Sequence, residues 1–321
     1  MIPAVWGIDT SNYRTSVAIV SLEGEILLNE RRLLPVPEGG RGLRQSDAVF
    51  MHLKQLSAME EALRKTAGGD AVPCAVAVSD RPRDGEDSYM PVFQAGVCVA
   101  SFLAGSSGVP LYRTTHQRGH IAAAARGTPL EGADRFLAVH LSGGTTDLLS
   151  VSPEKTERIG GSLDLHAGQM VDRIGVAMGL PFPAGPEMEA LAKDGKSQGL
   201  FGTSMEDGDL LCHISGAETL AQRMISEGRI APADLAREVY DFLARSVSRM
   251  ILAGSRKTGL RSVLVAGGVA ASPLLRTMLE ERTRKHRDAP ELIFGEVELS
   301  GDNAVGVALI GRGEYLRELK A

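Results

Sequence analysis

Two histidines one helical turn apart, His116 and His120, form the first pattern that can carry chemistry. On a helix, residues i and i+4 lie on one face, at the separation that a single metal ion needs. The zinc-peptidase pattern places Glu directly after the first histidine as general base. Gln117 stands there, and its amide cannot take up a proton, which argues against a metallopeptidase. The pair is therefore either part of a metal site or two histidines on a helix surface.

A turn rich in glycine and hydroxyl groups follows a predicted strand near the middle of the chain. It consists of Ser142, Gly143, Gly144, Thr145, Thr146 and Asp147. Glycines let backbone N–H groups approach an anion closely, and hydroxyl groups add donors. The carboxylate of Asp147 can hold a phosphate-bound metal ion directly or through water. The pattern fits a phosphate-binding loop, and it also fits a simple β-hairpin turn, for which Gly-Gly is well suited.

A second glycine turn follows the predicted strand 262–265. Gly267 and Gly268 end that strand, and Ser272 and Pro273 have the residue types that favour the N-cap and first position of a helix. Bare backbone at such a turn can lie against the base or ribose of a nucleotide, or it can serve tight strand–helix packing. The segment lacks the glycine spacing of dinucleotide-binding folds and the Gly-Lys-Ser/Thr of a P-loop, which argues against both families.

Two acidic positions complete the set of candidates. Asp172 lies in a predicted helix, 167–178, which is followed by a Pro-Ala-Gly-Pro turn that contains Gly185. The carboxylate of Asp172 can accept hydrogen bonds from ribose hydroxyls, or it can be exposed to solvent without a binding role. Asp302 precedes the predicted last helix, where it can act as an N-cap or supply a third metal ligand from the far end of the chain.

Composition and charge limit the possible functions. The chain has 321 residues, of which 43% are hydrophobic and 23% charged, typical of a globular protein of about two domains. A formal net charge of −5 and an aromatic content of 4% argue against a protein held to nucleic acid by a basic or base-stacking surface. Three cysteines without disulfide or metal spacing, no leader-like start and no long apolar run indicate a cytoplasmic protein without a membrane span.

Strands alternate with helices along the chain, which predicts an α/β fold with helix-covered sheets. Two hairpins of similar form, in 5–20 and 136–151, predict two lobes with a cleft between them. We expect the first lobe in 1–133 and the second in 134–321, with the last helix, from about 303, as an element that can return to the first lobe.

The order of these motifs resembles the tRNA threonylcarbamoyladenosine transferase family, also known as glycoprotease-like. This family belongs to the fold group of actin, sugar kinases and heat-shock ATPases, which is related to ribonuclease H. The resemblance covers nearly the whole chain. The matching motifs are Gly7-Ile8-Asp9-Thr10-Ser11, the H-x-x-G-H of His116, Gly119 and His120, the S-G-G-x-T turn, Asp172 with Gly185, Ser215-Gly216, the A-G-G-V of Ala266–Val269, and Asp302-Asn303.

The resemblance implies a metal- and nucleotide-dependent transferase. It implies that His116, His120 and Asp302 hold one iron or zinc ion. It also implies an adenine nucleotide (ATP, AMP or an acyl-adenylate, with Mg²⁺ as an accompanying ion). The implied nucleotide site comprises the turn Ser142–Thr146 and Asp172, Gly185, Gly267, Gly268 and Ser272. The implied reaction is threonylcarbamoyl transfer from an adenylate to a tRNA adenosine, by a homodimer or with accessory proteins.

Several positions depart from the family pattern. Tyr13 and Arg14 replace an acidic pair, Thr145 replaces the usual His, and Ser272 replaces a nucleoside-contacting Asn. These departures predict a divergent paralogue and leave two alternatives: carbamoyl or acyl transfer to another acceptor, and a catalytically silent nucleotide-binding partner in a complex. Candidates for catalytic roles are Asp9, Ser11, Arg14 and Asp147.

Overall fold

A computed structural model describes residues 1–11, 14–35, 43–85, 88–299, 301 and 304–321. The chain divides into two compact units. Unit 1 comprises Met1–Arg126 and Gly301–Ala321, and unit 2 comprises Gly127–Ser300. The sequence analysis predicted the division at 133/134, so the observed boundary lies earlier, and the last helix belongs to unit 1.

Strands and helices alternate in both units, as the α/β prediction requires. The strands are β1 (Ile2–Ser11), β2 (Arg14–Ser21), β3 (Ile26–Leu33), β4 (Ala71–Arg81), β5 (Leu111–Thr115), β6 (Phe136–Leu141), β7 (Thr146–Val151), β8 (Thr156–Ser162), β9 (Ser204–Glu206), β10 (Leu211–His213), β11 (Ser262–Ala266) and β12 (Glu291–Phe294). The helices are α1 (Gln45–Ala58), α2 (Glu60–Gly69), α3 (Phe93–Ser107), α4 (His116–Ala125), α5 (Ala167–Ala177), α6 (Gly185–Asp194), α7 (Ser215–Ser226), α8 (Pro232–Thr258), α9 (Pro273–Thr283) and α10 (Val305–Glu318).

The sheet of unit 1 has five strands in the order β3-β2-β1-β4-β5. β1 pairs antiparallel with β2 and parallel with β4, and β4 pairs parallel with β5. The central strand β1 is buried from Ala4 to Ser11, because α3 and α10 pack against it. Since β1, β4 and β5 run parallel, their carboxyl ends meet at one edge of the sheet, where α4 begins directly after β5.

The sheet of unit 2 has seven strands in the order β12-β11-β6-β7-β8-β10-β9. Its core is built around α8, whose buried side chains run along most of its length. β6 and β7 form the predicted hairpin, and β11 pairs parallel with β6, so the two glycine turns follow neighbouring strands. The turns after β6 and β11 are therefore close in space.

Most predicted elements are confirmed, and two predictions were wrong in detail. The sequence predicts one helix over 232–258 and another over 46–67; α8 spans the first range, whereas the second is broken at Met59 into α1 and α2. The Pro-Ala-Gly-Pro segment was predicted as a turn only, but Gly185 is already the first residue of α6. The three cysteines are free thiols, as expected. None of the helices in the described part of the chain combines the length and hydropathy needed to cross a membrane.

Candidate functional site

His116 and His120 lie one helical turn apart at the start of α4 in unit 1. Thr115 is the N-cap, and its hydroxyl oxygen accepts from the Arg118 backbone N–H at 3.2 Å. His116 is the first residue of the helix, which brings His120 onto the same face. The Nε2 atoms of the two imidazoles are 2.9 Å apart. The prediction that the two histidines lie on one face of a helix is thus confirmed, and their Nε2 atoms face one another.

Asp9 fixes the orientation of the first histidine from the neighbouring strand. Its side chain is 1% exposed, and its Oδ2 lies 2.7 Å from His116 Nδ1. Its Oδ1 accepts from the Ser79 hydroxyl at 2.5 Å. A carboxylate accepts hydrogen bonds, so Nδ1 of His116 carries the proton and the Nε2 lone pair points at His120. Asp9, a candidate catalytic residue in the sequence analysis, therefore contacts the imidazole on the side away from the other histidine.

The donor atoms on α4 fit an iron or zinc ion. Two metal–nitrogen bonds of about 2.1 Å hold their nitrogens about 3 Å apart at the right angle of octahedral coordination and about 3.4 Å apart at the tetrahedral angle of zinc, so the observed 2.9 Å is closer to the octahedral arrangement of iron. A carboxylate on the second nitrogen of a ligating imidazole is the usual outer partner of such a site. Within the described ranges, no three His, Cys, Asp or Glu side chains form a complete metal-binding group. The third predicted ligand, Asp302, lies outside the described residues.

Two of the other candidates in unit 1 lie at the same edge of the sheet. Ser11 is fully buried, and its Oγ is 3.4 Å from Asp9 Oδ2. Arg14 begins β2 and is paired in register with Ser11. A Cβ added to Gly301 would lie 3.2 Å from Nη1 of Arg14, so its guanidinium lies beside the segment that leads into α10. Tyr13 lies outside the described residues.

The glycine turn of unit 2 is a tight hairpin that supports a helix. The Ser142 backbone N–H donates to the Thr145 carbonyl at 2.9 Å, and the Gly144 N–H lies 3.3 Å from Ser142 Oγ. α5 begins against this turn, since the Gly168 N–H donates to the Ser142 carbonyl at 3.1 Å. A Cβ on Gly168 would lie 2.7 Å from the Gly143 nitrogen, so only glycine allows this approach.

A cavity of about 460 Å³ opens beside this hairpin, entirely within unit 2. Its lining residues are Gly143, Gly168, Val171, Asp172, Pro183, Gly185, Pro186, Glu189, Tyr240, Gly268, Val269, Ala271 and Ser272. Five residues that the sequence analysis assigned to a nucleotide site line it together: Gly143, Asp172, Gly185, Gly268 and Ser272.

The other predicted nucleotide-site residues support the walls. Thr146 is buried, and its hydroxyl oxygen accepts from the Ala167 N–H at the start of α5 at 2.8 Å. Gly267 has φ +102°, and a Cβ there would lie 2.3 Å from the Leu141 carbonyl oxygen. Gly144 and Thr145 lie at the tip of the hairpin. Asp147, predicted to hold a phosphate-bound metal, accepts a hydrogen bond from Arg158 Nε at 2.6 Å in an ion pair.

Two carboxylates on the cavity wall are anchored by backbone. Asp172 Oδ1 accepts from the Ala184 N–H at 2.8 Å, and Glu189 Oε1 accepts from the Leu274 N–H at 3.0 Å. Burial raises the pKa of Asp172, and the hydrogen bond from the Ala184 N–H partly offsets this rise. The cavity therefore presents two acidic acceptors fixed in place without any cation among its lining residues.

Tyr240 closes the buried end of the cavity. Its ring is 2% exposed, and its hydroxyl donates to the Gly185 carbonyl at 3.2 Å. Burial, with the nearby charge of Glu189, raises the pKa of Tyr240, so the phenol stays protonated. The sequence analysis predicted that Ser272 is an N-cap, and this is confirmed because its hydroxyl oxygen accepts from the Leu275 N–H at 3.2 Å.

Sequence reasoning missed Glu189 and Tyr240, because each lies in an ordinary amphipathic helix. The only available signal was position: Glu189 follows the Pro-Ala-Gly-Pro segment by one helical turn. Tyr240 is one of many apolar positions on the buried face of α8, so nothing in its local sequence distinguishes it.

Comparison with known proteins identifies a group of relatives. Residues 52–309 match the family described as tRNA N6-adenosine threonylcarbamoyltransferase. A protein of that name from Caldivirga maquilingensis is 29% identical over 97% of this chain and 90% of its own length. Another from Bacillus subtilis is 30% identical over 96% of this chain and 89% of its own length.

Solved structures share the fold at low identity. HypF in its phosphate- and nucleotide-bound form has a TM-score of 0.59 at 13% identity and covers 99% of this chain, which spans 46% of HypF. The activator of 2-hydroxyisocaproyl-CoA dehydratase from Clostridium difficile, with bound ADPNP, has a TM-score of 0.55 at 14% identity and covers 99% of this chain and 97% of its own. The predicted α/β fold of the actin and sugar-kinase group is confirmed.

Proposed function

Because the chain belongs to the tRNA N6-adenosine threonylcarbamoyltransferase family, we propose that it transfers a threonylcarbamoyl group from an adenylate to N6 of a tRNA adenosine. The observation that carries the proposal is the cavity in unit 2, which gathers five residues assigned to a nucleotide site from sequence alone.

The cavity suits an adenylate because its polar groups match a nucleoside. Asp172 and Glu189 each use one carboxylate oxygen to accept from backbone, so the other can accept from a ribose hydroxyl. Glycines at the walls, including Gly143 and Gly268, let the ligand approach bare backbone. The hairpin Ser142–Thr145 offers backbone N–H groups and hydroxyls to the phosphate. Tyr240 limits the depth of the site.

His116 and His120 would hold the metal ion, with Asp302 as the third ligand that the resemblance implies. When bound, an iron or zinc ion with open positions supplies Lewis acidity for the transferred carbonyl. The chain's own contribution is orientation: Asp9 keeps the proton of His116 on Nδ1, so Nε2 remains a donor atom. The buried Ser79 hydroxyl, bound to the other carboxylate oxygen, keeps Asp9 in place.

The proposed reaction is an acyl substitution at the carbamoyl carbon. The N6 amine of the tRNA adenosine attacks that carbon, the N6–C bond forms and the C–O bond to the phosphate breaks. AMP leaves with the electron pair, and the amine loses one proton to solvent. No oxidant or reductant is needed, and binding in the cavity fixes the adenylate for the attack.

The partners follow from the same proposal. The acceptor is a tRNA, and the formal net charge of −5 means that local groups or a partner must bind it, since the chain as a whole repels phosphate. A second copy of the chain or accessory proteins would provide the surface that binds the tRNA. The reaction would take place in the cytoplasm.

Complementation of a cell that lacks its own transferase tests the proposed function. The cell receives the wild-type chain or His116→Ala, each with the host's accessory proteins, and N6-threonylcarbamoyladenosine in its tRNA is measured by mass spectrometry. We expect the wild type to restore the modified nucleoside and His116→Ala to fail while remaining soluble. Soluble wild-type protein without the modified nucleoside would reject tRNA as acceptor and favour transfer to another acceptor.

A further inference from the structure

Arg158 lies at the base of the glycine hairpin of unit 2. It belongs to β8, and its Nε donates to Asp147 Oδ1 at 2.6 Å while its Nη2 donates to the Ser162 carbonyl at 2.9 Å. Asp147 is the second residue of β7, directly after the hairpin. The two hydrogen bonds hold the guanidinium beside the strand that leaves the hairpin. Neither the sequence motifs nor the proposed function gives this arginine a role.

Gly161 shows how close the guanidinium comes to the hairpin. It is paired with Asp147 across β7 and β8. A Cβ on Gly161 would lie 2.4 Å from the Thr146 carbonyl oxygen, 2.7 Å from Arg158 Nη2 and 2.9 Å from Asp147 Oδ1. Because residue 161 has no side chain, these three atoms surround one point. The guanidinium therefore lies against the backbone at the place where the hairpin ends.

Part of this guanidinium is available for a second anion. The side chain of Arg158 is 35% exposed, whereas that of Asp147 is 12% exposed. Nε and Nη2 are engaged, and among the residues that the structure describes no acceptor is hydrogen bonded to Nη1. An arginine carries five N–H donors in a planar fork that matches the oxygens of a phosphate. The carboxylate of Asp147 therefore uses only part of the donor set.

The charges around the cavity favour a cation at the hairpin. Asp172 and Glu189 are acidic, and none of the described lining residues is Lys or Arg. A phosphate held by the hairpin would be repelled by these carboxylates and by that of Asp147. Arg158 neutralises Asp147 and keeps donors for a second partner, so it lowers the repulsion at the base of the hairpin.

We propose that Arg158 contacts the phosphate of the adenylate and sets the preference of the site for a charged nucleotide over an uncharged nucleoside. This rests on the proposed function, because the hairpin is the part of the site that the proposal assigns to the phosphate. The carboxylate of Asp147 and the carbonyl of Ser162 hold the guanidinium in place for this contact.

The affinities of the full chain for AMP and for adenosine, measured by isothermal titration calorimetry, test the proposal. The two ligands differ only in the phosphate. We expect Arg158→Gln to lower the affinity for AMP by about tenfold or more, because hydrogen bonds between two charged groups are lost. Its affinity for adenosine should equal that of the wild type. Arg158→Lys should keep part of the affinity for AMP, because it keeps the charge but not the planar fork.

Arg249→Gln is the matched control. Arg249 also belongs to unit 2, and its Nη2 lies 2.7 Å from Asp209 Oδ1 in an ion pair. The variant therefore removes the same charge and breaks the same kind of ion pair away from the hairpin. It should bind both AMP and adenosine as the wild type does. A loss of AMP affinity in Arg249→Gln equal to that in Arg158→Gln would overturn the proposal.

Asp147→Asn separates a phosphate contact from a purely structural ion pair. Asp147→Asn and Arg158→Gln both remove the ion pair, so a structural role predicts a loss of AMP affinity in both. The amide oxygen of Asn still accepts from Arg158 Nε, while the negative charge beside the phosphate is lost. Asp147→Asn should therefore bind AMP at least as tightly as the wild type, and equal losses in the two variants would overturn the proposal.

The double variant Asp147→Asn/Arg158→Gln covers the case in which Arg158→Gln does not fold, since it leaves no buried carboxylate without a partner. It should lose affinity for AMP and keep that for adenosine. Wild-type affinity for AMP in this double variant would overturn the role of Arg158 and leave the proposed function standing. A wild type that binds neither AMP nor adenosine would instead overturn the nucleotide site of the proposed function.

Discussion

Asp9 connects the central strand of unit 1 to the histidine pair through one hydrogen bond. With His116 Nδ1 at 2.7 Å, the carboxylate selects the tautomer whose Nε2 lone pair points toward His120. We expect Asp9→Asn to weaken Zn²⁺ binding by about tenfold to a hundredfold, because the negative charge behind the imidazole is lost. Ser11→Ala is the matched control, since Ser11 Oγ is 3.4 Å from the same carboxylate. Unchanged affinity in Asp9→Asn, measured by chelator competition, would remove the orienting role.

Asp172 is the acidic residue for which we propose a contact with the nucleotide, because it belongs to the sequence motif and lines the cavity. Asp172→Asn should lower the affinity for AMP by about tenfold, because a hydrogen bond to a charged acceptor is replaced by one to a neutral amide. Isothermal titration calorimetry measures the change. Asp194→Asn, at the exposed end of α6, should bind AMP like the wild type. Equal affinities for AMP in all three proteins would place the nucleotide elsewhere.

Sequence motifs identified those candidate residues whose proposed chemistry depends on the residue type and on the spacing along the chain. His116, His120 and Asp172 could be found in this way because a helical face or a turn signal accompanies each. Glu189 and Tyr240 could not, since their role depends on how α6 and α8 pack around the cavity. The ion pair of Asp147 with Arg158 could not be predicted from the sequence either, because the register of β7 against β8 brings the two residues together.

At the level of elements, the turn after β11 depends on one backbone conformation. Gly267 has φ +102° and touches the Leu141 carbonyl, so both strain and collision oppose a side chain there. We expect Gly267→Ala to lower the free energy of unfolding by about 2 kcal/mol or more. Gly268→Ala, where a Cβ would meet nothing within 4 Å, should be nearly neutral. Urea denaturation measures both variants, and equal stability would show that the turn tolerates a side chain.

The hairpin of β9 and β10 carries a pH-dependent contact. His213 Nε2 lies 2.7 Å from Glu206 Oε1, and Nδ1 lies 3.4 Å from Asp164 Oδ2. The hydrogen bond with Glu206 is the main cause that raises the pKa of His213 above its ordinary 6.5. A raised pKa means that the stabilisation is fully present below pH 6.5 and is lost as pH rises through the folded-state pKa.

Urea denaturation between about pH 6 and pH 8 tests this contact. Over that range we expect the wild type to lose more unfolding free energy than His213→Asn does. His286→Asn, at an exposed histidine, should keep the wild-type dependence. Parallel pH profiles for the wild type and His213→Asn would show that the contact contributes nothing.

Elements with strong apolar periodicity were the ones predicted well. α8 is long and amphipathic, so its limits followed from the sequence. β3, with its sequence ILLNERRL, was missed because it is an edge strand without a fully buried residue and shows no clear alternation. The break between α1 and α2 at Met59 was missed because the segment has neither proline nor glycine to end a helix there.

For the whole molecule, the sequence predicted the fold group through the order of its motifs rather than through any one of them. The comparison of solved structures confirms that group, and the family match over 52–309 confirms a transferase family. The unit boundary was harder to predict because 126–135 is a continuous polar segment with glycine and proline throughout, so no single residue in it marks the end of the first unit. That α10 belongs to unit 1 follows from its packing on β1, β4 and α4, which no local sequence signal encodes.

The central claim is that this chain moves a threonylcarbamoyl group onto a tRNA adenosine. The most direct measurement incubates the purified full chain, loaded with Fe²⁺ or Zn²⁺ and supplied with accessory proteins of a relative, with threonylcarbamoyl adenylate and unmodified tRNA. The modified nucleoside is then quantified by mass spectrometry. The account predicts N6-threonylcarbamoyladenosine with the wild type and its loss in His116→Ala and Asp172→Ala. A wild type that binds metal and AMP yet yields no more of this nucleoside than His116→Ala would contradict it.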